Sequence, residues 1–392
     1  MDQCMEAVVS NTGRANRRTF LQIGGLGVAA AACAPAVTPP APVAAPEAPA
    51  AAKVAWQKEW EDLVAAARKE GKVTVLTLPG SGYRKAMDAF QDVFPGIVVE
   101  QQSAASSSVY IPKIRQERAA GLYGYDLALV GIQTSLIQLR PEGVWAPIPD
   151  QLLRPDVIED KAWRGGLKGR LLDTDAKLAF GWEYRVYHAF AINTDMVKEG
   201  EISTIHDVLN PKWRGKLIVS DVRMADTSST MTALRKSTGD DAVRQLLVDQ
   251  QPAFQRDPRL IAEAVVRGRN PIALGVRAEI LQDFRNEGLG KNVKLLDLPE
   301  IDYIPGVGML SFSRAPHPAT ARLFINWFLT REGQTAIGKN LPTNSARLDV
   351  EPYFTDGVPT PGKTYFEAAR ESVWQQLEDT KKYINGLVGV TN

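Results

Sequence analysis

The alternation of apolar runs with amphipathic, helix-length segments between Trp56 and Arg140 constrains this chain most. Trp60, Leu63, Val64 and Ala67 recur at helical spacing before a stop at Gly71. Lys72 to Leu78 then reads as a buried strand that ends at Pro79-Gly80-Ser81-Gly82. A helix over Tyr83 to Val93, a strand over Ile97 to Gln101, a helix through Ala120, a strand over Tyr125 to Val130 and a helix to Arg140 follow. Strands separated by helices of this length cannot pair as hairpins. They require crossover units, hence a parallel sheet covered by helices on both faces.

The middle of the chain is patterned differently. Leu178 to Ile192 is a long extended stretch rich in aromatics, closed by Asn193-Thr194-Asp195. Strands are expected at Leu217 to Ser220, Pro271 to Val276, Val293 to Leu298 and Gly308 to Phe312. Helices are expected to start at Asp226-Thr227-Ser228-Ser229, and to cover Asp241 to Gln250, Pro258 to Gly268, His317 to Leu329 and Arg331 to Lys339. Lys363 to Gly386 reads as largely helical, and no internal repeat is visible.

The first 32 residues read as an export signal rather than part of the fold. Arg17 and Arg18 precede Phe20-Leu21 and a short apolar run, Ile23 to Ala32. This is the basic and apolar composition of a signal peptide, too short to span a bilayer, which takes about 20 apolar residues. It resembles the twin-arginine signal, with Gln22 where that pattern usually has Lys. Ala30-Ala31-Ala32-Cys33 resembles a lipoprotein cleavage box, with Ala30 where Leu is usual, so Cys33 is the expected lipidation site. Residues 33–55, almost all Ala, Pro and Val after the cysteine, are the expected tether. Cys4 lies within the signal, so the mature chain has no possible internal disulfide.

Roughly 360 of the 392 residues remain after the signal, more than one core usually supports, so two lobes are expected. The signal carries the chain's single surplus positive charge, and the remainder is balanced. With no basic tract, nucleic acid is not an expected partner. His188, His206 and His317 lack metal-ligand spacing, and neither a resident metal nor a cofactor is expected.

Four stretches carry a family resemblance. Trp60 to Val73, Ala191-Ile192-Asn193-Thr194-Asp195-Met196-Val197, Pro211-Lys212-Trp213-Arg214-Gly215-Lys216, and the series Pro316-His317-Pro318, Ala321, Phe324, Trp327, Arg331-Glu332-Gly333-Gln334 are in order along the chain. Together they resemble ABC-importer solute-binding proteins of the type-2 periplasmic class, in the group of ferric-iron and sugar-phosphate binders. The resemblance covers Trp56 to Lys339. It implies two α/β lobes, each a mostly parallel sheet flanked by helices, joined by two crossovers near Tyr184 to Asn193 and Ile301 to Gly308. Lobe 1 would comprise 57–185 plus 306–392, and lobe 2 would comprise 186–305. A ligand would sit between them, and the closed receptor, expected to be a monomer outside the cytoplasmic membrane, would deliver it to a permease with its ATPase.

Candidate ligand contacts lie on loops after strands. Ser81 and Gly82 could face an anion with their backbone N–H groups or form a plain turn. Gln133 and Thr134 occupy the equivalent place after the third strand. Thr227 and Ser228 either cap a helix or bind ligand oxygens. Tyr184 and Arg185 lie on the first crossover, Arg277 follows a strand, and Tyr303 lies on the return crossover. An arginine in a cleft suits a carboxylate or phosphoryl group, while a surface ion pair is the commoner role. The iron-binding branch uses adjacent tyrosines on the return crossover, where this chain has Tyr303 alone beside Asp302. A small organic or phosphorylated anion is therefore the favoured ligand over ferric iron. A sensor for a membrane kinase is a further reading. An exported hydrolase is the weakest one, because no Gly-x-Ser-x-Gly, His-Glu-x-x-His or free cysteine nucleophile is present in the mature sequence.

Overall fold

The computed structural model describes residues 50 to 389, except 342 and 354. Arg17, Arg18, Cys33 and most of the expected tether lie outside the described residues. Helix α1 runs Ala50–Glu70, beginning inside the segment expected to be tether. The run Ala50-Ala51-Ala52 has the highest intrinsic helix propensity and extends the helix backwards. No described helix is long and apolar enough to cross a membrane.

From α1 the chain alternates as the pattern requires. β1 (Lys72–Thr77), α2 (Ser81–Val93), β2 (Val98–Ser103), α3 (Ser107–Ala119), β3 (Leu127–Gly131) and α4 (Ile132–Leu139) succeed one another. Strands β4 (Trp145–Ala146) and β5 (Ala179–Phe180) complete the first half. The second half contributes β6 (Phe190–Asn193), β7 (Leu217–Ser220), β8 (Ala253–Gln255), β9 (Ile272–Leu274) and β10 (Val293–Leu295). After it come β11 (Tyr303–Ile304), β12 (Val307–Phe312) and β13 (Phe366–Glu367).

Among the described residues two large sheets form, beside the two-stranded β11-β13 pair, and the two large ones share one plan. The first is ordered β2-β1-β3-β12-β4 with β5 also on β12, and the second is β8-β7-β9-β6-β10. In each, a parallel triplet is extended by an antiparallel strand that arrives directly from a crossover: β12 beside β3, and β6 beside β9. The repeat is one of topology, which is why the residues give no sign of it.

Period-2 side chains place cores on both faces of each sheet. Val73, Val75, Leu127, Leu129 and Met309 face α1, α2 and the Pro318–Phe328 helix, while Leu76, Ala128, Val130 and Leu310 face α3 and α4. In the second sheet Ile192, Leu217, Val219 and Ile272 pack to one side, and Ala191, Ile218 and Ala273 to the other.

The C-terminal segment departs from expectation. Only Trp374–Leu387 of the stretch 363–386 is α-helical, because Pro361-Gly362 opens a turn and Phe366–Glu367 pairs as β13 with β11. Nor does this helix stay with the first sheet, as a lobe spanning 306–392 would require. Trp374 and Leu377 are buried in the first sheet's core, whereas Ile384, with Tyr383 and Leu387, packs into the second's. It bridges both cores.

Candidate functional site

The two crossovers run side by side between the sheets. Tyr187 and Tyr303 exchange backbone hydrogen bonds, Tyr187 N–H to the Tyr303 carbonyl at 2.8 Å and the reverse at 3.3 Å. The rings meet at 4.9 Å between centroids. Flanking this rung, His188 faces Asp302. Its Nδ1 lies 2.7 Å from Asp302 Oδ2, and its Nε2 lies 2.6 Å from the Asp356 carbonyl. Asp302 also accepts from Ala189 N–H and Leu298 N–H at 2.8 and 2.9 Å. Burial opposes a charged imidazole here, but the Asp302 hydrogen bond and charge outweigh it and raise the His188 pKa above its usual value. With Asp297 this makes a group of metal-ligand type. Asp297, however, already holds Lys363, Thr360 and Tyr365, so the cluster is a satisfied brace.

Beside the rung opens a cavity of about 360 Å³, which shares the lining residues Gln133, Thr134, Ala225, Ser229 and Leu377 with a second of about 510 Å³. The first turns of three described helices line the first. Ser107 opens α3, Ile132, Gln133 and Thr134 open α4, and Ala225 and Asp226 open the Ala225–Thr238 helix. Their N-cap residues are Ser106, Gly131 and Met224, and none makes a side-chain cap hydrogen bond. Ser106 instead pairs its hydroxyl with Ser108 at 2.7 Å. In the third helix the Thr227 N–H already donates to Asp226 Oδ1 at 3.0 Å; first-turn N–H groups that keep no side-chain acceptor attract anions, reinforced by the helix dipole.

Glycine lets the return crossover pass close to α4. A Cβ on Gly308 would stand 2.3 Å from Ile132 Cγ2, and one on Gly306 would stand 2.1 Å from Ala369 Cβ.

The residues expected from sequence fall into two sets. Gln133, Thr134 and Tyr303 line the first cavity, and Ser228 lines the second, its hydroxyl 3.4 Å from the Leu377 carbonyl. The others are engaged elsewhere. Thr227 is buried and donates to the Ser220 carbonyl at 3.2 Å. Ser81 and Gly82 line neither cavity; a Cβ on Gly82 would meet the Asn340 carbonyl at 2.3 Å, so this glycine serves packing of α2. Arg185 donates to Glu183 at 2.9 Å and faces Glu279 at 3.6 Å. The Tyr184 ring lies 5.0 Å from each of the Arg164 and Arg170 guanidinium carbons. Arg277 pairs with Asp226 at 3.5 Å at the cavity wall.

Residues that sequence reasoning missed include Tyr187, Asp226, Ser107 and Tyr110. Tyr187 and Tyr303 are both buried, and burial first, then neighbouring charge, pushes their phenols above the usual range. Asp226 and Glu279 add to that rise, while Arg277 opposes it.

Two α/β sheets of one plan, joined by paired crossovers beside a ligand-sized cleft, define the two-lobed fold of the type-2 periplasmic binding proteins. No protein-family model matches this chain, and no curated protein matches it. Solved structures do. Ferric iron-binding protein A of Mannheimia haemolytica, in an open conformation, aligns with a TM-score of 0.65 at 15% identity, over 82% of this chain and 100% of that one. The spermidine/putrescine ABC transporter substrate-binding protein PotD of Streptococcus pneumoniae aligns at 0.60 and 13%, over 81% and 99%. The periplasmic binding protein AfuA of Actinobacillus pleuropneumoniae, with fructose-6-phosphate bound, aligns at 0.55 and 14%, over 82% and 99%. At such identities the likeness is one of fold, and the named ligands span a metal ion, polyamines and a sugar phosphate.

Proposed function

We propose that this chain is an exported solute-binding receptor of an ABC importer that takes a small anion, phosphorylated or carboxylate, in the cleft beside Tyr303. The carrying observation is that three helices begin at one cavity, and that the first turns of α3 and α4 have no side-chain cap there, while Asp226 takes the Thr227 N–H of the third. Such a site holds an anion through backbone N–H groups and dipoles without a dedicated basic side chain. Arg223 and Arg256 share Asp221 at the second cavity's side, and Lys381 lines that cavity, which favours approach of an anion. The fold neighbours are binding proteins rather than enzymes, which supports capture and delivery as the role.

On this reading the chain works outside the cytoplasmic membrane, exported through Arg17 and Arg18 and tethered through lipid on Cys33. Cleft closure about the paired crossovers presents the loaded form to the permease and its ATPase. Thermal unfolding with phosphorylated and carboxylate anions tests the ligand class, since a ligand bound only by the folded state raises the midpoint. A panel of such anions that leaves the midpoint unchanged would count against it.

A second reading has one observation in its favour. The two crossovers bring Tyr187 into contact with Tyr303, so a second phenol ring lies directly behind the one that lines the cleft. Ferric iron bound by both, with Asp226 nearby, would produce a tyrosinate-to-iron absorption band on iron addition. The band's absence leaves the anion reading alone.

A further inference from the structure

Arg170 and Arg347 are equally buried, each with a side chain 3% exposed, but only one of them is satisfied. Arg347 donates to both Asp349 carboxylate oxygens at 2.8 Å and to the carbonyls of Asp156 and Leu329 at 3.0 and 2.9 Å. Arg170 has the same donors, yet its Nε is buried without a partner among the described residues. Its one ion-pair contact is Glu367 Oε2 at 3.8 Å, beyond hydrogen-bond reach. A guanidinium taken out of water is costly unless a carboxylate or hydrogen bonds replace its hydration. The neighbours add positive charge rather than cancel it. Arg164, whose guanidinium lies over the same Tyr184 ring as that of Arg170, makes no ion pair among the described residues. Arg370 holds Glu367 Oε2 at 2.5 Å, so the carboxylate that faces Arg170 is already engaged. On the flanking segments Asp160 accepts from Leu167 N–H, and Glu371 is held by Arg140 and Thr174 N–H; neither pairs with the cluster. Three guanidiniums thus share one carboxylate, an excess of two positive charges. Burial, with Arg370 and Arg164 adding to it and Glu367 opposing, holds the Arg170 pKa below its usual value.

None of Arg164, Arg170, Tyr184, Glu367 and Arg370 lines either cleft cavity. Tyr184 packs with Val186, Ile304 and Tyr365, whereas Tyr187, Tyr303 and Ala368 pack together, the last two at the cavity. Successive residues of the paired strands face opposite ways, and the arginine cluster lies on the Tyr184 side, behind the crossovers. We infer that Arg164, Arg170 and Arg370 form a second anion site there, for a free tetrahedral dianion, phosphate or sulfate. Two uncompensated positive charges match a dianion, and guanidinium N–H groups suit its oxygens. A guanidinium 3% exposed is out of reach of a lipid surface or a partner chain, which leaves a small free ion. Arg164 and Arg370, both partly exposed, grip that ion at the rim, and Arg170 supplies charge beneath. The inference stands apart from the anion reading of the cleft and uses none of its residues.

Calorimetric titration of the purified protein with inorganic phosphate and with sulfate, at low ionic strength, tests it. At least one of the two is expected to bind, and Arg164→Gln and Arg170→Met to weaken that binding tenfold or more. If the cleft takes the same ion it adds a second site, which these variants leave unchanged. Acetate, a monoanion, is expected to bind at least tenfold more weakly at the arginine site, and equal affinity would overturn the dianion. In buffer free of both ions Arg170→Met is expected to unfold at a midpoint no lower than the parent, because it removes an uncompensated buried charge, and added sulfate should raise the parent's midpoint by more than the variant's. Arg164 is partly exposed and makes no ion pair, so Arg164→Gln decides the matter if Arg170→Met folds poorly. No binding of either ion overturns the inference, as does binding whose affinity and stoichiometry are the same in Arg164→Gln as in the parent. Both of these results leave the reading of the cleft standing.

Discussion

Replacing Asp302 by alanine is the perturbation whose cost is most directly worked out from the structure. Its side chain is fully buried and accepts three hydrogen bonds, from the backbone of Ala189 and Leu298 and from the His188 ring. Alanine leaves two backbone N–H groups buried and unpaired, at about 1–3 kcal/mol each, and deprives His188 of its counter-charge. A loss of about 3–6 kcal/mol in urea unfolding is expected.

The pH dependence carries its own sign. The His188 pKa is raised in the folded chain above the ordinary 6.5, so the ring's contribution is fully present below that value. As pH climbs from there through the raised pKa, the unfolded chain has already released the proton that the folded chain retains, and the contribution drains away. Asp302→Asn keeps the shape but not the charge, so its stability deficit should be larger near pH ~6 than near pH ~9. Because Tyr187 and Tyr303 are the neighbours of this pair in sequence, ligand affinity should fall along with stability. A loss below about 1 kcal/mol for the alanine variant, or a deficit for Asp302→Asn that does not change with pH, would refute the reasoning.

Other expectations follow from packing and address. Gly308→Ala should displace the α4 N-terminus, since the new Cβ falls 2.3 Å from Ile132 Cγ2, costing about 1–3 kcal/mol and at least tenfold in ligand affinity by titration. Leu377→Ala, in the helix that joins both cores, should cost about 2–5 kcal/mol in urea unfolding; a loss under about 1 kcal/mol would mean the helix is not a shared anchor. Cys33→Ala should move the protein from the membrane to the soluble fraction on centrifugation, and unchanged membrane association would exclude a lipid tether.

The sequence made the first sheet legible because its strands are continuous apolar runs between helices, and period alone separates the two. The paired crossovers were less so. Leu178 to Ile192 reads as one extended stretch, but Tyr187 meets Tyr303 only through a long-range register that no local pattern encodes. Asp226 was read as part of a helix cap. Met224 takes that place, which moves the carboxylate into the first turn and the cavity wall. Gln133, Thr134 and Tyr303 were accessible to sequence because they follow strand ends or lie on the return crossover. Arg185 and Arg277 were candidates to grip a ligand, with an ion pair as the commoner role; Arg185 pairs with Glu183 two residues away, while Glu279 and Asp226 come from segments distant in sequence. The C-terminal bridge was hidden for a similar reason: Trp374 and Ile384 look like one helix face, yet they enter different cores.

The central claim is that three helix N-termini make this cleft an anion site. Thermal unfolding of the protein with ethyl phosphate, O-phosphoethanolamine, propionate, β-alanine, spermidine and ferric ion addresses it in one experiment. An anion-bearing compound is expected to raise the midpoint, with stabilisation approaching about 2.7 kcal/mol at a hundredfold excess over Kd. A midpoint raised by spermidine or ferric ion and by none of the anions would contradict it.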